Sequence, residues 1–183
     1  MKDDLILIEE YKNGSTTAFE ALYKKYASKM KWVAFRYVSD SSLAEDVLQE
    51  AFVKVFKKIE TFENKGSFEG WLRRTVVNTA INYYNAIKKE SEKNVEFGVF
   101  TENENATENQ DEEDNFTLQE LMDAVNMLPD GYKVVFNLYA IDQYSHKEIA
   151  EALNISEGTS KSQLFKARTF LKKILKEKKT ISK

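Results

Sequence analysis

Between Thr101 and Asn115 the chain runs through fifteen residues of Thr, Glu, Asn, Gln and Asp, with one alanine and no helical or strand periodicity. Such a stretch has nothing to bury, and a structureless run of this length has no place inside a compact domain. The surrounding segment, residues 91–116, carries one Lys against nine Asp/Glu, a net charge of −8. It therefore divides the chain into an N-terminal domain at 1–90 and a C-terminal domain at 117–183, with an acidic linker at 91–116. As a flexible coil those 26 residues would span about 28 Å r.m.s..

The two flanking pieces are mildly basic, +2 and +3, so the overall charge of −3 conceals a segregated distribution and does not exclude a nucleic-acid partner. With 42% hydrophobic and 13% aromatic residues each piece can build a core. The absence of cysteine excludes disulfides, thiolate metal sites and a cysteine nucleophile, and a single histidine, His146, excludes any site needing two imidazoles. The apolar run Leu5–Ile8 sits between Asp3, Asp4, Glu9 and Glu10, too short and too acidic for a signal peptide or a membrane span. The expectation is a soluble, cytoplasmic protein without membrane insertion.

One proline and six glycines favour long helices, and the apolar spacing agrees. Phe19, Leu22, Tyr23, Tyr26, Met30, Val33, Ala34 and Tyr37 recur at three and four residues. Ser42-x-x-Glu45 reads as a capping box for a second helix, with Leu43, Val47, Leu48, Ala51, Phe52, Val55, Phe56 and Ile59 inward. After the loop Thr61–Gly66, Ser67 caps a third, with Phe68, Trp71, Leu72, Thr75, Val76 and Tyr83 on one side. In the second domain Leu118, Leu121, Met122 and Val125 mark a helix ending near Pro129, and Tyr132, Val135, Phe136 and Tyr139 mark the next. Ser145-x-x-Glu148 opens a short helix, Asn154 takes its left-handed end, and Ser156 caps a long final helix whose inner side is Leu164, Ala167, Leu171 and Ile174. The fold class is all-α: two small helical domains joined by the acidic linker, the second domain containing a helix-turn-helix.

A helix whose exposed side is basic, with small hydroxyl residues in its N-terminal half, suits a DNA major groove. The final helix fits that description with Lys161, Ser162, Phe165, Lys166, Arg168 and Lys172 off its apolar stripe. A solvated amphipathic helix with a basic C-terminal end would share the pattern.

The wording of that region is more specific. Tyr144-Ser-His-Lys-Glu-Ile-Ala150 followed by Ser156-Glu-Gly-Thr-Ser-Lys-Ser-Gln-Leu-Phe-Lys-Ala-Arg168 resembles region 4 of bacterial extracytoplasmic-function sigma factors. Ala44-Glu-Asp-Val-Leu-Gln-Glu-Ala-Phe52 resembles their region 2.2, and Phe62-x-x-x-Gly-Ser-Phe68-x-x-Trp71-Leu72 with Asn78 resembles regions 2.3 and 2.4. Leu128-Pro129 stands where region 4 has its leucine-proline, and the motifs follow the family's order over most of residues 15–175.

The resemblance implies a subunit with no catalysis or cofactor of its own, whose partners are core RNA polymerase and promoter DNA. An inhibitory anti-sigma factor is common in the family, though no residue pattern here marks one. The first domain would bind the polymerase clamp through Asp46, Gln49, Glu50 and Val53, an exposed stripe that could equally be a solvated face with Glu50 paired to Lys54. It would melt the minus-ten element through Phe62, Lys65, Ser67, Arg74, Asn78 and Asn82. The asparagine amides both donate and accept, as reading an unpaired base edge requires. Asn85 and Lys89 continue their stripe, whereas Trp71 belongs to the core. The second domain would read the minus-thirty-five element through Lys161, Ser162, Phe165 and Lys166, with Thr159 and Arg168 as phosphate or packing residues.

The sequence departs from the family at Ser160, Gln163 and Lys166, where valine, arginine and arginine are frequent. Lysine for arginine removes the bidentate fork for guanine, which points to a different promoter. His146, beside the cap Ser145, reads as a surface or phosphate-neighbouring residue, and Asp111–Asp114 as linker solvation or a nucleic-acid mimic rather than a cation site. Two other classes compete: a free-standing dimeric DNA-binding regulator, and a metal-dependent enzyme, for which the histidine pair and the glycine-rich phosphate loop are missing.

Overall fold

Asp3 accepts the backbone N–H of Leu5 and starts a helix at once, α1 (Asp4–Lys12). The computed structural model describes residues 3–63, 65–94 and 116–181. Residues 95–115, which hold most of the expected linker and the Asp111–Asp114 cluster, lie outside the described residues. The described chain forms helices and no strands, in two units divided near Lys88.

In the first unit α1 turns through Gly14, at φ +92°, into α2 (Thr16–Val38), capped by Ser15. Ser39 closes α2 in the left-handed region and leads into α3 (Ser41–Lys57). The cap of α3 corrects the expectation. Asp40, not Ser42, accepts the N–H groups of Ser42 and Leu43 at 2.8 Å, and Ser42 lies within the helix. A carboxylate serves the first-turn donors and also meets the positive end of the helix dipole, so it outcompetes a hydroxyl two residues later.

α2 and α3 run antiparallel, as Phe19 meets Phe56 at 4.0 Å between centroids and Tyr23 meets Phe52 at 4.8 Å, while Lys31 pairs with Glu45 further along. A 3-10 turn, Ile59–Thr61, and a loop lead to α4 (Phe68–Asn94), which runs past the expected boundary at residue 90. α4 is antiparallel to α3, since Lys54 bonds Thr79 and Glu50 bonds Tyr83. Leu22, Met30, Leu48, Leu72 and Ile81 are fully buried between these helices; truncating such a leucine to alanine costs about 2–5 kcal/mol.

The sequence carries no apolar period for α1, and tertiary contacts seat it instead. Its Leu7 and Ile8 are buried, its Tyr11 lies against Phe19 and Phe56, and Asp4 reaches Lys25 and Tyr26 of α2 at 2.5 Å each.

The second unit comprises α5 (Leu118–Asn126), α6 (Asp130–Phe136), a π-helical turn Asn137–Ile141, α7 (His146–Leu153) and α8 (Glu157–Ile181). α5, α6 and α7 all pack on α8. Val125, Leu128 and Ala167 form one cluster under Tyr132, Phe136 and Leu171, while Leu138, Ile149 and Leu164 are buried alongside. Of the residues expected to mark α5, Leu118 is 76% exposed and Leu121 39%, so the helix is seated through Ala124 and Val125. Among the described residues no helix is long and apolar enough to cross a membrane, and no group of acidic and histidine side chains is placed to hold a metal ion.

Candidate nucleic-acid interface

The bend between α7 and α8 is built as its residues require. Ser145 and Glu148 form a reciprocal capping box, with Ser145 N–H to Glu148 Oε2 at 2.9 Å and Glu148 N–H to Ser145 Oγ at 3.2 Å. Asn154 takes φ 53°, ψ 48°, a left-handed conformation that asparagine tolerates better than other non-glycine residues. Ser156 then accepts the Thr159 N–H at 2.9 Å and starts α8. The reversal is short and fixed at both ends.

Buried Leu164 and Ala167 hold one side of α8 inward. Lys161, Ser162, Phe165 and Arg168 are exposed on the other, and Lys166 is half-buried. Ser162 donates to the Thr159 carbonyl at 3.0 Å, keeping its side chain close to the helix. Thr159 is committed locally: its hydroxyl lies 2.8 Å from Ser156 Oγ. Phe165, 43% exposed, places an apolar ring among the cations. The first turns of α8 thus offer a positive, low-profile surface with one apolar knob, suited to a phosphate-lined groove.

On α4 burial is unusually broad, taking in Phe68, Leu72, Val76, Val77, Thr79, Ala80 and Ile81. At about 100° per residue a single narrow stripe is left, with Arg74, Asn78 and Asn82 exposed on it and Asn85 half-buried. At its head Ser67 accepts the Gly70 N–H at 3.1 Å, acting as the expected cap. Gly66, at φ +107°, makes the turn into Ser67 in a conformation that a side chain would strain. Lys65 is exposed and paired with Glu63 at 2.6 Å.

Phe62 is drawn inward instead. It is 9% exposed and packs on Phe68 and Trp71, at 5.8 and 5.4 Å between ring centroids. These contacts anchor the loop on the first turn of α4. Trp71 is only half-buried, on the edge of the polar stripe.

The α3 stripe divides as well. Asp46, Gln49 and Val53 are exposed, with Val53 at 52%. Glu50 is occupied: Lys54 sits 2.6 Å away on the next turn and Tyr83 of α4 hydrogen-bonds to it. The Lys54 ammonium, helped by the Tyr83 hydroxyl, holds the Glu50 carboxyl below its usual value, against partial burial. The same bond raises the Tyr83 phenol. Lys54 also donates to Thr79 at 3.3 Å, so the group ties α3 to α4. The Glu50–Lys54 pair was legible from its spacing, but Tyr83 and Thr79 come from a helix some thirty residues on, and no local signal announces them.

Comparison with known proteins gives this geometry its context. Residues 22–90 match the family pattern of sigma-70 region 2, and residues 118–171 that of sigma-70 region 4. The chain is 32% identical over 178 residues to the ECF RNA polymerase sigma-E factor of Haemophilus influenzae, covering 92% of this chain and 93% of that one. It is 30% identical over 173 residues to the sigma-E factor of Escherichia coli, covering 90% of both. The RNA polymerase sigma-H factor of Pseudomonas aeruginosa is 29% identical over 182 residues, covering 95% of this chain and 94% of that one.

Two solved structures share the fold. One is the Bartonella quintana sigma factor RpoE, crystallised with the anti-sigma factor NepR (22% identity, TM-score 0.50, covering 86% of this chain and 96% of that one). The other is CnrH in complex with the cytosolic domain of CnrY (21% identity, TM-score 0.51, covering 95% and 97%). With both regions matched in order and relatives of this identity aligned over nine-tenths of their length, the chain belongs to the extracytoplasmic-function family of RNA polymerase sigma factors, which serve promoter-directed transcription initiation with the polymerase.

Proposed function

We propose that the two units divide the promoter between them, in the cytoplasm, while the polymerase supplies the catalysis. The first unit, residues 1–90, docks on the polymerase clamp through Asp46, Gln49 and Val53 and opens the minus-ten element. There Arg74, Asn78 and Asn82 meet the unpaired strand, and Lys65 and Ser67 border the pocket for an extruded base. Extrusion costs a few kcal/mol, which stacking and edge hydrogen bonds must offset. The second unit, residues 117–183, reads the minus-thirty-five duplex through Lys161, Ser162, Phe165 and Lys166, with Arg168 on a phosphate.

The observation that carries this reading is the capped bend before α8, which leaves Lys161, Ser162 and Phe165 exposed in the helix's first turns. An anti-sigma partner belongs to the same reading, supported by the fold shared with RpoE, which was crystallised with NepR.

The test is gel filtration of the purified chain with core polymerase, followed by transcription in vitro and sequencing of the transcripts. Co-elution and discrete start sites are expected. A stable homodimer that ignores polymerase and binds a palindrome would replace this reading with that of a free-standing regulator.

A further inference from the structure

The side chain of Ser160 is completely buried in α8. A buried hydroxyl needs a partner. It has one in His146, whose Nδ1 lies 2.9 Å from Ser160 Oγ. The imidazole so fixed stacks on Tyr139, 4.6 Å between centroids at 23°. Tyr139 rides on the π-helical turn and is 36% exposed. Over its ring, 5.9 Å from the centroid, lies the guanidinium of Arg168, two turns beyond Ser160 on the same helix. The chain Ser160–His146–Tyr139–Arg168 thus leaves α8 as a buried hydroxyl and returns to it as an exposed cation.

The geometry points to His146 and Tyr139 as positioning residues that hold Arg168 ready for a DNA phosphate. An exposed arginine loses much rotamer freedom when it docks on a phosphate. A ring face that restrains the guanidinium beforehand removes part of that loss. Tyr139 supplies the face, and its own ring is held in place by an imidazole pinned to the helix interior. Ser160 is in this light half of a matched pair with His146. The assignment rests on the reading of α8 as the DNA-facing helix, and deepens it.

Because a phosphate contact is indifferent to sequence, the full-length chain on any short duplex is sufficient, its affinity measured across a salt series. Arg168→Ala should lower the log–log slope by about 0.9, the value of one phosphate. His146→Ala should weaken binding at fixed salt by about two- to fivefold, and should change nothing further when Arg168 is already alanine. The double variant His146→Phe with Ser160→Val restores a ring beneath Tyr139 without the hydrogen bond, and should return the wild-type affinity.

A second readout avoids DNA. The Arg168 side-chain proton resonances should be shifted by the Tyr139 ring, and the shift should vanish in His146→Ala, or in Tyr139→Leu should His146→Ala fold poorly. An unmoved Arg168 resonance overturns the assignment. So does a His146→Ala loss of equal size with and without Arg168, which marks a general structural defect. If Lys161→Ala and Lys166→Ala weaken the duplex while His146→Ala does not, the assignment falls and the DNA reading stands. If Lys161→Ala, Lys166→Ala, Arg168→Ala and His146→Ala all leave binding unaltered, both fall.

Discussion

Tyr26 of α2 is a phenol set against a carboxylate in a buried place. It is 5% exposed and donates to Asp4 Oδ2, and burial together with that carboxylate pushes its phenol from the ordinary 10 up to about 12. A value raised in the folded state means that the neutral form stabilises the fold. That contribution is complete below pH about 10 and fades as the pH climbs through about 12. In an ultraviolet titration of the nine tyrosines, Tyr26 should ionise late, through pH about 12, and Tyr83, whose phenol Glu50 also raises, should lag behind the ordinary range. Tyr26→Phe should remove that late step and cost about 1 kcal/mol at neutral pH, read from the urea midpoint. A titration in which all nine ionise together would remove Asp4 as the anchor of α1. Asn78→Ala tests a different role. An exposed asparagine on the polar stripe of α4 should be nearly neutral to stability and to polymerase co-elution, while promoter opening, followed by permanganate reactivity of unpaired thymines, should fall. Loss of polymerase binding instead would mean that the faces of the first unit are wrongly divided. At this scale the sequence was readable where chemistry is local, as in Ser67, Asn154 and the Ser145–Glu148 box. It was opaque where a partner arrives from far along the chain: the spacing pairs Glu50 with Lys54, but nothing near them announces Tyr83 or Thr79, which join that pair from α4.

Helices with a strict apolar period were legible in their buried faces, because one face had to be buried and only one could be; their ends were less so, as the Asp40 cap of α3 and the run of α4 to Asn94 show. α2, α3, α4 and α8 follow that logic. α1 escaped it because Leu5–Ile8 is a continuous run, which alone does not distinguish a helix from a strand; the fold buries Leu7 and Ile8 and leaves Leu5 and Ile6 exposed. α5 misled in the other direction, since its Leu118 satisfies the period yet faces solvent. For α8 the element itself makes the prediction. If Lys161 and Lys166 each neutralise a phosphate, the double change to alanine should reduce the salt slope of duplex binding by about 1.8, while leaving the helix content seen by circular dichroism unchanged. An unaltered slope would take both lysines out of the phosphate contact and leave α8 a solvated amphipathic helix.

The molecule as a whole is two cores on one chain, and its proposed use demands that they stay joined. Each unit has its own buried set, Leu48 and Leu72 in the first, Leu138 and Ile149 in the second. Residues 1–90 and 117–183, produced as separate chains, should therefore each keep a helical spectrum and a cooperative melt. Neither piece should direct specific transcription alone, because each would grip only part of the promoter. Covalent connection turns the second contact into an intramolecular one, at an effective concentration on the order of millimolar. An untethered second unit at micromolar concentration would be short of that by about a thousandfold. Mixed pieces should consequently give a small fraction of the intact chain's promoter-specific transcripts, rising as the second piece is added in excess. Full activity from the mixture at micromolar concentration would show that the polymerase holds the two units without help from the chain between them. The acidic residues 91–116 would then need a different reason to be there.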